Sequence, residues 1–411
     1  MERRRSRPGR MERRRWALEQ LETIRQNMNW IPLEVSRGSI DGENLQRYTP
    51  FPACKNEDET EIRSRLVDAL SNEPELDRSM GCLVGMVVGD AVGAPLEFLD
   101  ACDAGQGSSC FDLVSNSYTQ EFNKFQLDRG QWTDDASMGL CLADSLLCCG
   151  VFDGSDIRLR FWSWWFRGYN NAFRKDFTRS GSVGLGGNIS RSLFTMEHGK
   201  VPTPTYEAKT EDAGNGSLMR LGAVPLFFRH DVKAASDAAA ASSLTTHPGA
   251  IAAEACRFVA QLVVRAIARR DTAEDPRPLI DSVVQDYLGG LAHRANEPGV
   301  AELSRLLRSA EPESSLERNW NWRSKRLEVV AVINRRGHSY NGYPVSAGYF
   351  GSFSLDALAI ALNSVYHTDS FNEAISRCVN FLGDADSTAA IAGQIAGALY
   401  GYRSIDQRWI A

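Results

Sequence analysis

Apolar side chains recur along this chain at the three- and four-residue spacing of helices that bury one face. In residues 132–150 they fall at Met138, Cys141, Leu142, Leu146 and Cys149. This predicts a helix that opens at the sequence TDDAS, with Thr133 as its cap. The spacing predicts further helices over 157–173, where tryptophans and phenylalanines form a core stripe, from Pro248 to about 270, and over 279–291, 355–363 and 371–381, with a last one following the sequence DADST. Aperiodic segments separate them. Residues 111–127 are polar with scattered aromatics, 180–188 (SGSVGLGGN) form a loop, 214–216 a glycine turn, and 327–354 include a short β-prone run at 329–333. Residues 311–326 have the character of a polar surface insertion carrying Trp320 and Trp322. No strand–helix alternation is sustained, so an all-α fold is expected.

The first 77 residues stand apart as an extension, and the packed domain is expected over 78–411. Residues 1–15 hold eight arginines, two glutamates and no apolar side chain besides two methionines. Such a segment cannot bury a core, so a solvated tail is expected, with an arm for phosphate-bearing partners as the functional alternative. No apolar h-region follows it, which excludes a secretory signal. A helix is expected over 16–29, a broken tether over 31–57, and a short helix over 59–70.

Gly81, Gly85, Gly89 and Gly93 fall four residues apart, and Gly393, Gly397 and Gly401 repeat the spacing. On a helix each glycine costs about 1 kcal/mol relative to alanine, so close backbone approach is the expected compensation. Either the two helices cross at the centre of the fold, or each packs on a bulky neighbour.

Composition narrows the function. With 43% hydrophobic residues the chain can bury a core, and its net charge of −6 argues against a broad nucleic-acid surface. No run of about 18 apolar residues occurs, because the longest candidate, 80–98, is interrupted by Asp90, so no membrane partner is expected. Nine cysteines, an odd count with no C-x-x-C pair, point to a reducing, cytoplasmic compartment and to neither a zinc site nor a disulfide framework.

Candidate chemistry lies at two helix starts, TDDAS (133–137) and DADST (384–388). Each gathers two carboxylates and a hydroxyl, the donors that Mg²⁺, Mn²⁺ and Ca²⁺ prefer. Each also has the composition of a capped helix start. If the two meet, four aspartates share one site, which like-charge repulsion forbids unless cations neutralise them. A pair of divalent ions would do so, and could lower the pKa of a water and orient substrate hydroxyls. On the residues alone, a shared cation site and two separate caps both remain open.

Five segments occur here in an order that resembles the ADP-ribosylglycohydrolases: GCLVGMVVGDAVGAPLEF (81–98), WTDDASMGL (132–140), GNGSLMR (214–220), LTTHP (244–248) and HTDSFNEAISRCVNFLGDADSTAAIAGQIAGALYG (367–401). That family includes dinitrogenase-reductase-activating glycohydrolase and the ADP-ribosylarginine and ADP-ribosylserine hydrolases. The resemblance covers about residues 78–405. It implies an all-α, multi-helix domain with a binuclear Mg²⁺ or Mn²⁺ centre at the bottom of a cleft. By position it implies Thr133, Asp134, Asp135, Asp384, Asp386 and Ser387 as metal ligands. Asn215, Gly216 and Ser217 then hold diphosphate and ribose, His247 lies beside them, and Tyr349 and Phe350 flank the adenosine end. Glu97 matches a glutamate over the distal ribose.

The second metal motif commonly reads D-T-D-T, whereas this chain has Ala385 and Ser387. Serine keeps the hydroxyl donor. The expected catalytic residues are Glu97, for proton transfer, with Asp135 and Asp386 positioning a water at an oxocarbenium-like transition state. His247 is expected as a neutral donor. The implied activity is metal-dependent hydrolysis of the bond between ADP-ribose and an acceptor, arginine first, on an ADP-ribosylated protein or small ADP-ribosyl substrate. The alternative is a catalytically idle protein that binds ADP-ribose, or one that blocks and neutralises an ADP-ribosyltransferase through its N-terminal extension.

Overall fold

The computed structural model describes residues 64, 68–103, 109–173, 179, 181–197, 200–208, 213–269, 275–291, 293–312, 318, 320–336, 339–340, 343–344 and 349–410. The Arg-rich tail, the helix expected over 16–29, the tether over 31–57 and most of the helix expected over 59–70 lie outside the described residues. In chain order the helices are α1 (Pro74–Gly93), α2 (Asp134–Cys149), α3 (Gly154–Arg167), α4 (Gly187–Phe194), α5 (Ala223–Phe227), α6 (Val232–Leu244) and α7 (Ala250–Ile267). They continue with α8 (Arg277–Gly290), α9 (Val300–Arg308), α10 (Val329–Arg336), α11 (Ser354–Tyr366), α12 (Phe371–Val379), α13 (Ala385–Tyr400) and α14 (Gln407–Ile410). Two small antiparallel hairpins are the strands among the described residues: β1 (Phe111–Asp112) with β2 (Ser117–Tyr118), and β3 (Ser339–Tyr340) with β4 (Tyr343–Pro344).

The glycine-striped helices α1 and α13 form the axis. A Cβ placed on Gly85 would strike the carbonyl of Gly393, one on Gly89 that of Ala389, and one on Gly93 the backbone of Ala385 and Asp386. Gly393 and Gly397 meet Gly85 and Gly81 in the same way. Partner numbers fall as those of α1 rise, so the helices run antiparallel along a backbone-to-backbone seam. They do not cross at a single point. The seam sets Asp90 level with the first turn of α13. That helix is buried from Ala385 to Leu399, packed against α1, α7, α11 and α12. Residues 74–96 are long and apolar enough to cross a bilayer by length and composition, yet 61% of the apolar 18-residue window within them is buried inside the protein.

Three local expectations are corrected. The aromatic helix α3 stops at Arg167, because Gly168 turns left-handed (φ 76°) and closes the helix end. The β-prone run at 329–333 is the start of α10, whose Val330 N–H is accepted by Asp103 Oδ1 at 3.0 Å, so a cap from a distant residue overrides strand propensity. The segment containing Trp320 and Trp322 is no surface insertion at those residues: they are 1% and 0% exposed, and their indole N–H groups donate to Asp356 Oδ1 and Leu306 O. Residues 111–127, aperiodic in sequence, contain the β1–β2 hairpin.

Candidate active site

The N-terminus of α2 is capped from outside. Both carboxylate oxygens of Asp90 accept the Thr133 N–H (2.9 and 3.1 Å), and Oδ2 also accepts the Ala136 N–H at 2.9 Å. Thr133 sits at the N-cap position, but its side chain accepts nothing from its own helix. Its hydroxyl instead reaches Asp90 Oδ1 (3.0 Å), Asp135 Oδ2 (3.1 Å) and, at 3.4 Å, Asp386 Oδ2. The expected Thr133 cap is thereby corrected: Asp90 accepts the Ala136 N–H that a cap side chain would take, and the threonine hydroxyl turns to the carboxylates.

The start of α13 behaves alike. Leu382 and Gly383 adopt successive left-handed conformations (φ 61° and 66°) before Asp384, whose carboxylate makes no capping bond. Three loops lace this turn in place. Phe98 N donates to Gly383 O and Gly383 N to Leu99 O, both at 3.0 Å, which clamps the Glu97 loop onto it. Asp384 N donates to Phe350 O at 2.8 Å, and Gly351, at φ 108°, lets the backbone pass the Asp384 side chain. Asn215 Nδ2 donates to Asp384 Oδ2 and to Gly351 O, both at 2.9 Å. At neither motif does the nominal cap residue, Thr133 or Asp384, cap its own helix, and the two motifs share one site.

Asp90, Asp135 and Asp386 offer carboxylate oxygens within 4.8 Å of one another, as do Glu97, Asp384 and Asp386, and all five are buried. Asp386 belongs to both groups. Burial, followed by the neighbouring carboxylates, holds Asp134, Asp135 and Asp386 well above the usual carboxylate range. Asp384 is raised chiefly by burial, and Asp90 is pushed up to about 7 by burial and then by Asp386. Glu97 is pushed up to about 12 by burial, then by Asp386, Asp384 and Asp134. Asp135 Oδ1 and Glu97 Oε2 are buried without a hydrogen-bond partner. Bare buried carboxylate oxygens amid like charges, with no nitrogen or sulfur donor among the clustered groups, fit a hard divalent cation.

The remaining predicted residues fall at different distances from this centre. Asp134 is buried at the start of α2, where Gly184 (φ 89°), in the glycine-rich loop, leaves room for its carboxylate. Ser387 is buried beside Asp386, with its hydroxyl 3.5 Å from Met219 Sδ. Gly216 passes against His247, for a Cβ there would lie 3.0 Å from Nε2. Ser217 turns inward, its hydroxyl accepting from Ser243 Oγ at 2.8 Å. His247 is held well below the usual histidine range by burial and by Arg220, which keeps it neutral. Tyr349 donates its hydroxyl to Glu97 Oε1 at 3.1 Å and stacks on Phe98 (ring centroids 5.3 Å apart), so it stands at the acid cluster. Phe350 is buried, with the Arg336 guanidinium over its ring. Asp90 and Gly184 were not singled out from the sequence. The signal for Asp90 was a charge within a glycine-ridged apolar helix, which has to be satisfied by something in the interior.

Comparison with known proteins fits this geometry. A sequence profile of the ADP-ribosylglycohydrolase family matches residues 71–411. The ADP-ribosylarginine hydrolase Tri1 of Pseudomonas putida is 29% identical over 343 residues, which cover 83% of this chain and 75% of that one. The ADP-ribosyl-[dinitrogen reductase] glycohydrolase of Rhodospirillum rubrum is 25% identical, covering 82% and 90%. A solved structure, an ADP-ribosylglycohydrolase-related protein complex, superposes with a TM-score of 0.56 at 26% identity, covering 82% of this chain and 92% of that one. The chain belongs to the ADP-ribosylglycohydrolase family. It is an enzyme that hydrolyses ADP-ribosyl bonds, built on that family's helical fold.

Proposed function

We propose that this enzyme removes mono-ADP-ribose from arginine side chains of modified proteins, using two divalent cations, Mg²⁺ or Mn²⁺. The observation that carries the reading is the double cluster about Asp386, with its bare oxygens on Asp135 and Glu97. The arginine acceptor draws its support from the P. putida relative, named an ADP-ribosylarginine hydrolase. Asp134, Asp135, Asp384 and Asp386, with the hydroxyls of Thr133 and Ser387, would hold the cations. When bound, these would supply the positive charge that lets the carboxylates stay ionised together, and a Lewis acid for water and ribose hydroxyls.

The chain's own groups do the rest. Asn215, Gly216 and His247 receive the ribose and diphosphate, and Ser217 braces that turn from behind. Hydrolysis forms a bond from water oxygen to the anomeric carbon and breaks the bond to the guanidine nitrogen, through an oxocarbenium-like state. Glu97 takes the proton from the attacking water or gives one to the departing nitrogen, with Tyr349 fixing its Oε1.

The test is release of free ADP-ribose from arginine-linked, serine-linked and O-acetyl-linked substrates with Mg²⁺, Mn²⁺ or chelator. Release from the arginine-linked member, abolished by chelator, is expected. Release from the serine-linked member alone would reassign the acceptor, and release that persists in chelator would remove the cations from the mechanism.

A further inference from the structure

Behind the Gly214–Gly216 turn, a line of three buried side chains ends on His247. Arg220 Nη2 donates to Thr246 Oγ1 at 2.7 Å, and Thr246 Oγ1 lies 2.8 Å from His247 Nδ1. Arg220, Thr246 and His247 are all buried. A guanidinium has donors and no acceptor, so Thr246 Oγ1 must be the acceptor in the first bond. The hydroxyl owns one hydrogen, and the acceptor it meets among the described residues is His247 Nδ1. Were Nδ1 protonated, the hydroxyl would face two donors and its own hydrogen would be stranded in the interior. Nδ1 is therefore bare, and the imidazole carries its hydrogen on Nε2. The neighbouring Thr245 does otherwise: its hydroxyl donates to the Ser242 carbonyl at 2.6 Å and is spent within the backbone. Burial and the Arg220 charge disfavour the imidazolium, and so does the Thr246 bond.

Nε2 faces the turn that binds Asp384. A Cβ on Gly216 would lie 3.0 Å from it and one on Gly214 3.5 Å, so both glycines keep its approach clear. We propose that Arg220 and Thr246 are positioning residues which lock His247 as an Nε2–H donor facing the Gly214–Gly216 turn. The acceptor it fits there is an oxygen of the bound ADP-ribosyl group. The choice of ligand rests on the function proposed above, whereas the tautomer lock does not.

A long-range ¹H–¹⁵N correlation spectrum of the full chain labelled at its six histidines tests the lock, with His247 assigned by the signal lost in His247→Gln. At pH 7 the His247 ring is expected to show a protonated Nε2 and a bare Nδ1. Thr246→Val should let the second tautomer appear, and Thr246→Ser should restore the single form. With one ligand hydrogen bond no longer held, KM for the ADP-ribosyl substrate should rise about tenfold in Thr246→Val, while kcat changes by less than about twofold. A proton on Nδ1 in the unaltered protein, on either or both nitrogens' account, overturns the lock, and so does a Thr246→Val spectrum identical with the parent's. An unchanged KM overturns the assignment of the acceptor. If Thr246→Val does not fold, the parent and Thr246→Ser spectra still decide the tautomer. The expected spectra without ADP-ribose release from any substrate would uphold the lock and remove the proposed reaction instead.

Discussion

Asp90 shows how a residue can serve a site it does not resemble. From α1 it accepts the N–H groups of Thr133 and Ala136 at the start of α2 with its two carboxylate oxygens, and so leaves the Thr133 hydroxyl to the acid cluster. Asp90→Asn keeps the shape but retains one acceptor oxygen, and its amide hydrogens would confront a backbone N–H. The expected loss is about 2 kcal/mol of stability by denaturant unfolding, together with weaker Mn²⁺ binding by calorimetry, as Thr133 turns back to cap its own helix. Unchanged Mn²⁺ affinity would count against this role. At Asp386, the group common to both clusters, the expectation differs. Asp386→Ala should abolish turnover, by about 1,000-fold or more, and lose a cation while the fold is retained, since it relieves repulsion in a crowded acid site. Near-parental turnover in that variant would remove Asp386 from the centre. The two aspartates were unequally legible. Asp386 stood in a motif of cation-ligand chemistry, whereas Asp90 showed itself only as a charge inside an apolar helix, its partners supplied by tertiary structure.

Along the elements, periodicity carried most of the fold. The four-residue glycine spacing announced a close approach, and α1 and α13 meet through it, antiparallel along their length. Sequence spacing says nothing of direction or angle, which the opposing surfaces decide. The seam reverses a familiar rule. Gly→Ala within a helix ordinarily stabilises by about 1 kcal/mol, but at Gly85 the new methyl would meet the Gly393 carbonyl, and backbone cannot step aside. Gly85→Ala is expected to cost about 2–4 kcal/mol in denaturant unfolding. A neutral or stabilised variant would mean that the helices can separate. Where long-range contacts override local preference, the sequence pattern misleads. Val329 and Val332 favour strand, yet Asp103 starts a helix there. Trp320 and Trp322 sit among polar residues but are claimed by the core and by acceptors on other elements.

For the whole molecule, the acid centre is expected to couple stability to both protons and cations. The buried aspartates have folded-state pKa values above the unfolded value near 3.8, about 7 at Asp90. Without a cation, the folded protein binds protons that the unfolded chain has released. The stability they contribute is fully present below about pH 4 and is lost as pH rises through the folded values, for Asp90 between about 4 and 7. Each such group contributes a slope of about 1.4 kcal/mol per pH unit within its window. A divalent cation needs the carboxylates ionised, so its binding should expel protons and recover the stability lost at neutral pH, by about 2.7 kcal/mol at a hundredfold excess over Kd. Thermal unfolding between pH 4 and 8 should therefore show a midpoint that falls with pH in chelator and a gap that opens towards pH 7 when Mn²⁺ is added. Calorimetry at pH 7 in buffers of different ionisation enthalpy should register the released protons. Parallel midpoint curves with and without Mn²⁺, or binding without proton release, would mean that the carboxylates do not act together as the cation site. Asp386→Ala supplies the internal control: with the shared carboxylate gone, the fall in chelator should flatten and the Mn²⁺-dependent gap should shrink.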